Sequence, residues 1–132
     1  YDHLHLTVVQ KPEILVQINA AFQKAVGDPN VQVTYGAPTV IYVSCKNEDE
    51  EIIKGCNAGV VMENMLLEAA DLGLGAVYLF GVSQVLFANE EITKLLQIPE
   101  GFRTVSAIAV GTSADALQER TLGTDKISTT TL

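Results

Sequence analysis

Ala70-Asp71-Leu72-Gly73-Leu74-Gly75-Ala76-Val77-Tyr78-Leu79-Phe80-Gly81 is the stretch that orders the second half of the chain. It holds the end of a helix, a glycine turn, a short apolar strand and a closing glycine. Upstream, a helix runs from about Glu51 or Asn57 to Leu72. Its polar residues Asn57, Asn64, Glu68 and Asp71 form one narrow stripe with Glu63 beside it, and apolar residues from Val60 to Leu72 cover the rest. A helix apolar around most of its circumference is buried rather than laid on a surface. It is therefore a central helix or lies in a subunit interface. Gly73 supplies its C-terminal cap, and Ala76 to Phe80 is the strand that follows.

Working outward, Val82 to Ala88 suggests a helical turn. Asn89-Glu90-Glu91 looks like a cap followed by acids, which suit a helix N-terminus. Ile92, Leu95, Leu96 and Ile98 complete a short helix that Pro99-Glu100-Gly101 ends. Phe102 to Gly111 is the clearest strand, and its small residues Ser106, Ala107 and Ala109 let another layer approach. On the N-terminal side, Leu4 to Val9 is rich in β-formers. Pro12 opens a helix whose residues Ile14, Leu15, Ile18, Phe22, Ala25 and Val26 fall at helical spacing. Gly27-Asp28-Pro29-Asn30 stops it, Val31 to Tyr35 reads as loop, and Pro38 to Cys45 as a buried strand. A β-α-β-α-β-α-β order of this kind argues for a layered α/β arrangement.

The chain has 132 residues and is 48% hydrophobic, enough for one domain with a real core. The tail from about residue 121 turns polar, with Thr129-Thr130-Thr131 as a frayed end. The net charge of −8 argues against nucleic acid as a partner, because a phosphate backbone calls for a basic surface. No apolar run reaches the roughly 18–20 residues of a membrane span, and the start at Tyr1 shows no signal-peptide pattern. Cys45 and Cys56 make neither a disulfide framework nor a Cys-x-x-Cys redox pair. They read as reduced thiols in a cytoplasmic protein. Glu48-Asp49-Glu50-Glu51 is a solvated loop or first helical turn; no histidine accompanies it to make a metal site. His3 and His5 have no acid or metal partner at fixed spacing, and Ser83 and Ser106 lack a nucleophile-elbow context.

Gly73-Leu74-Gly75 is not a dinucleotide fingerprint, since it ends a helix and opens a strand where that motif does the reverse. On the residues alone, Tyr78-Leu79-Phe80-Gly81 is two core residues and a turn. The arrangement as a whole says more. Gly59, Asn64, Ala69, Ala70 and Leu72 to Gly75 are followed by Tyr78 to Gly81. Then come Leu95, Pro99 and Gly101, the run Val105 to Gly111, and Arg120. In order and spacing this resembles the FMN-binding half of the nitroreductase family.

The resemblance implies an α+β fold, a mostly antiparallel central sheet flanked by helices, built as an intertwined homodimer. It implies that Leu79, Phe80 and Gly81 face the flavin ring, with a backbone N–H there meeting N5, and that Arg120 holds the FMN phosphate. A guanidinium suits a phosphate because it donates two parallel hydrogen bonds. No protein acid or base is required, since the cofactor carries the chemistry. The implied activity is transfer of electrons from NAD(P)H through FMN to a nitroaromatic, quinone or similar small acceptor. The alternative is a catalytically silent flavin- or ligand-binding dimeric module of the same fold. The family pattern also places an Arg-x-Ser-x-Arg phosphate clamp and an Asn-x-Gln-Pro-Trp segment ahead of the first strand. This sequence starts almost at that strand, so the expectation is an N-terminally truncated member with partial or absent FMN occupancy.

Overall fold

In the strand from Phe102 to Gly111, alternate residues take opposite faces: Ala107 and Ala109 are buried on one, Ile108 on the other. Such a strand needs cover on both sides, and the computed structural model supplies it. The structure describes residues 2–81, 85, 89–115, 119, 121, 123 and 126–132. In chain order the elements are β1 (Leu4–Val9), α1 (Pro12–Val26), β2 (Thr39–Lys46), α2 (Glu51–Asp71), β3 (Gly75–Tyr78), α3 (Glu90–Leu95) and β4 (Phe102–Gly111). The sheet order is β1-β2-β4-β3, and every neighbouring pair is antiparallel. The fold is therefore α+β, and the layered parallel arrangement suggested by simple alternation does not form.

The loop after α1 explains why. Val9 pairs with Val40, so β2 starts beside the end of β1. The helix carries the chain about 22 Å away (1.5 Å for each of its 15 residues). The segment from Gly27 to Pro38 must then bring it back, and it does so along the helix. Asn19 Oδ1 accepts the Val33 N–H at 2.9 Å, and Gln23 Nε2 donates to the carbonyls of Pro29 and Val31 at 2.8 and 2.9 Å. Val33 is buried there. The second half does contain a parallel crossover. β2 and β3 are both antiparallel to β4, so they run the same way, and α2 connects them across it.

Two cores result. On one face Ile18 and Phe22 of α1 and Ile92 and Leu96 around α3 pack on Val40, Tyr42, Ala107 and Ala109. On the other, Ala58 and Met62 of α2 pack on Val43 and Ile108. The β2–β4 register slips between Val43, opposite Ser106, and Ser44, opposite Thr104. This bulge leaves Val105 as the extra residue.

The local signals operate as expected. Asn89 accepts the Ile92 N–H at 3.2 Å and caps α3. Leu72 is the cap residue of α2, with Gly73 just beyond it at φ 68°. The Gly73 N–H reaches Ala70 O at 3.1 Å and the Leu74 N–H reaches Ala69 O at 2.8 Å, a Schellman ending. Gly111 serves a different purpose. A Cβ built on it would lie 2.7 Å from Pro38 Cδ, so glycine is there for space.

α2 is buried along one line only, at Lys54, Ala58, Met62 and Ala69. Val60 and Leu67 are 64% and 60% exposed in the single chain, and Ile52 and Ile53 are exposed beside them. Of the two readings of this helix, burial within the chain accounts for one face alone. Among the described residues, no helix is long and apolar enough to cross a membrane.

Candidate functional site

The turn that the resemblance assigns to the flavin begins where β3 ends. The strand stops at Tyr78, earlier than the sequence suggests, because Phe80 and Gly81 already have helical backbone. Leu79 lies between these two conformations. Its N–H donates to Ala107 O at 2.8 Å, and its side chain is buried with Ile92 and Leu96. The Leu79 amide is thus engaged by the sheet, and Leu79 pins the turn to the core. Phe80 and Gly81 differ. Amides in the first turn of a helix have no acceptor within it. Phe80 is 57% exposed, and a Cβ on Gly81 would meet no atom within 4 Å among the described residues.

Beside them stands Tyr78, 40% exposed, its ring centroid 6.0 Å from that of Phe80 and tilted by 58°. A short edge strand, an aromatic pair and an exposed glycine fit the ring end of FMN. A flat apolar ring gains from aromatic surface, and its N5 needs a donor that carries no titrating proton. Arg120, assigned to the phosphate by the resemblance, lies outside the described residues, as do Ser83 and most of the turn expected from Val82 to Ala88.

A second polar constellation sits where β2 leaves the sheet and β4 enters it. Lys54 is only 4% exposed at its side chain. Its Nζ donates to Asn47 O at 2.9 Å and to Glu51 Oε1 at 3.0 Å. Arg103 donates to the other oxygen of Glu51. These hydrogen bonds, from Lys54 first and then Arg103, hold the Glu51 carboxyl below its ordinary range. His3 Nδ1 lies 2.7 Å from Asp49 Oδ1, so His3 does have an acid partner, one that sequence spacing could not reveal. Asp49 is half-buried, and so not the solvated residue expected of this acidic run. Burial pushes the Cys45 thiol up, helped by the charge of Asp49.

Of this constellation, only the three-residue spacing of Glu51 and Lys54 on a helix was a visible signal. Arg103 is 52 residues away from Glu51 in sequence. The cluster ties the first turn of α2 to the sheet, and none of it adjoins the Tyr78–Gly81 turn in sequence or pairing. Among the described residues, no group of three or more His, Cys, Asp or Glu side chains is placed to hold a metal. Both cysteines are free.

Comparison with known proteins agrees with this geometry. A nitroreductase with bound FMN from Bacteroides fragilis NCTC 9343 has a TM-score of 0.80 at 22% identity, over 98% of this chain and 77% of that one. A nitroreductase with bound FMN from Desulfitobacterium hafniense DCB-2 gives 0.75 at 18% identity, over 98% and 76%. The NADPH:FMN oxidoreductase of Vibrio harveyi, complexed with NAD+, gives 0.63 at 19%, over 89% and 54%. At these identities the likeness is one of fold. No functionally curated protein matches the sequence. The sequence pattern of the nitroreductase family, however, matches residues 1–112, most of the 132. The chain belongs to the nitroreductase family.

Proposed function

We propose that this protein is an FMN-dependent oxidoreductase that takes electrons from NAD(P)H and passes them to a nitroaromatic, quinone or similar acceptor. The observation that carries this reading is the exposed turn at Phe80 and Gly81, where the backbone turns helical at the end of an edge strand and the first amides have no acceptor within the helix. Bound FMN would supply the redox chemistry between NAD(P)H and the acceptor. The protein's own part is to bind, orient and exclude water. Leu79 anchors the turn in the core, and Phe80 and Gly81 would hold the ring, with a backbone N–H there as the donor to it. Arg120 holds the phosphate. Family membership and the FMN-bound neighbours support this reading.

The same proposal includes a homodimer. Gly55 and Gly59 lie inside α2, and a Cβ on either would meet nothing within 4 Å among the described residues. Glycine inside a helix costs about 0.5–1 kcal/mol relative to alanine. Nothing in the single chain explains two of them beside exposed Ile52, Val60 and Leu67. A second copy crossing closely at this face would cover the apolar surface and use the absent side chains. The two free thiols accord with a reducing, cytoplasmic setting.

Equilibrium dialysis against FMN and riboflavin tests the reading. FMN is expected to bind, and riboflavin more weakly because it lacks the phosphate. FMN binding with no NAD(P)H oxidation would leave a binding module; no FMN binding at millimolar concentration would remove the reading altogether.

A further inference from the structure

We infer that the groove between α1 and the loop leading into β2 binds an uncharged cyclic amide, a ring with an N–H beside a C=O. The inference goes beyond the FMN reading and does not rest on it. No residue of β3, β4 or the Tyr78–Gly81 turn lines this groove. The cavity measures about 500 Å³, inside the span of roughly 300–1,000 Å³ common to small-molecule sites. Leu15, Val16, Ala37 and Pro38 give it apolar walls. Its polar lining is all amide or hydroxyl. Among the described residues no charged side chain lines it, although 18% of the chain is charged. An ionised ligand would shed water there and meet no counter-charge, which is costly. A neutral ligand escapes that penalty.

Two side chains set the pattern. Asn19 and Gln23 stand one turn apart on the same side of α1. Each has one end of its amide fixed to the loop. The Val33 N–H donates to Asn19 at 2.9 Å, so the engaged atom is the oxygen Oδ1 and the Nδ2 donor is left. Gln23 donates to the carbonyls of Pro29 and Val31, which takes both N–H groups of Nε2 and leaves the Oε1 acceptor. Among the described residues neither remaining end has a hydrogen-bond partner, and both side chains line the groove. The loop bonds thus hold a donor and an acceptor side by side before any ligand arrives. Thr34 adds a third group. It is only 6% exposed, lines the same groove, and its hydroxyl makes no hydrogen bond among the described residues. A nearly buried hydroxyl without a partner is unfavourable. In the bound state Asn19 donates to a ring carbonyl, Gln23 accepts the adjacent ring N–H, and Thr34 donates to a second carbonyl.

Uracil carries this edge and serves as the probe. The test titrates it into isotope-labelled protein and follows the side-chain amide signals of Asn19 and Gln23 by NMR. Both are expected to shift, and to saturate at millimolar uracil. Dimethyluracil, methylated on both ring nitrogens, keeps the carbonyls but has no N–H, and should bind at least about 10-fold more weakly. Orotate, the same ring with a carboxylate, should also bind more weakly, because the groove offers no cation. Asn19→Asp keeps an acceptor for the Val33 N–H, so the loop stays in place, but sets a carboxylate oxygen where the donor was. Uracil affinity should fall by about 10-fold or more. Thr34→Val removes the hydroxyl alone and should cost about 2- to 10-fold. Uracil that shifts neither amide at millimolar concentration would overturn the inference. So would dimethyluracil or orotate binding as tightly as uracil, or either variant binding uracil like the wild type. None of these results bears on the FMN reading, which stands or falls with the FMN dialysis.

Discussion

Replacing Gly111 by alanine tests whether this glycine is there for room. Its backbone is not in the left-handed region, so any residue could adopt its conformation. Space is the constraint. The new Cβ would sit 2.7 Å from Pro38 Cδ and 3.5 Å from Pro38 Cγ. Carbon atoms rest about 3.5–4.0 Å apart, so the nearer contact is short by roughly 0.8–1.3 Å. A proline ring cannot swing aside as a long side chain does. Pro38 also precedes Thr39, which opens β2 opposite Val110, so displacing it disturbs the first rungs of the β2–β4 ladder. Overpacking of this kind costs about 1–3 kcal/mol. In a domain of this size that is roughly 4–12 °C in Tm. Thermal and urea melts followed by circular dichroism, at one fixed protein concentration, would measure it. Gly75→Ala is the graded control, because its Cβ would meet Ser113 Cβ at 3.2 Å and the neighbour need give only slightly. Gly111→Ala as stable as the wild type would refute the steric explanation.

Two further substitutions follow from the geometry and a third from the family resemblance. Gly59→Ala should raise the stability of a single chain by about 0.5–1 kcal/mol yet loosen the dimer, as read by sedimentation velocity; higher stability with an unchanged dimer would take the glycine face of α2 out of the interface. Tyr42 is fully buried, its hydroxyl has no protein partner among the described residues, and burial raises its pKa above the ordinary value of 10.0. The folded state therefore keeps this proton where the unfolded state releases it, so the stabilisation is complete below pH 10 and declines as pH rises beyond it, by up to about 1.4 kcal/mol per unit. Tyr42→Phe should be neutral to stabilising at pH 7 and should lose this part of the alkaline decline in a pH series of urea melts; a variant that declines as steeply as the wild type would contradict the assignment. Arg120→Ala should weaken FMN binding by about 1.5–3 kcal/mol, the value of a hydrogen bond to a charged group, and an unchanged titration would remove Arg120 from the site.

Local chemistry was legible in the sequence where a few neighbouring residues decide the outcome. The cap at Asn89, the glycine ending of α2 and the strand at Leu4–Val9 all depend on short-range signals, and they stand where the sequence puts them. Sheet direction did not follow from the β-α alternation. It depends on where the segment from Gly27 to Pro38 takes the chain, and that path is fixed by Asn19 and Gln23, whose side-chain bonds have no distinctive sequence pattern. The family resemblance supplied the antiparallel arrangement instead. At the candidate site, the Tyr78–Gly81 segment was recognisable, but the division of labour within it was not. Strand alternation would separate Leu79 from Phe80 in either case; what the β-rich run did not show is that the backbone turns helical at Phe80, so that the Leu79 amide is the last one the sheet takes. The Glu51–Lys54–Arg103 network was hidden for a different reason. Its members come together only when β4 enters the sheet beside the end of β2.

On the proposed reading, this nitroreductase fold supports flavin-dependent electron transfer. Anaerobic mixing of the FMN-saturated protein with NADPH and, separately, NADH, followed through the visible flavin band, tests it most directly. The account predicts that at least one of the two bleaches the band, and that a nitroaromatic or quinone then restores it. FMN that is demonstrably bound, yet keeps its full absorbance with both nicotinamides, would contradict the account.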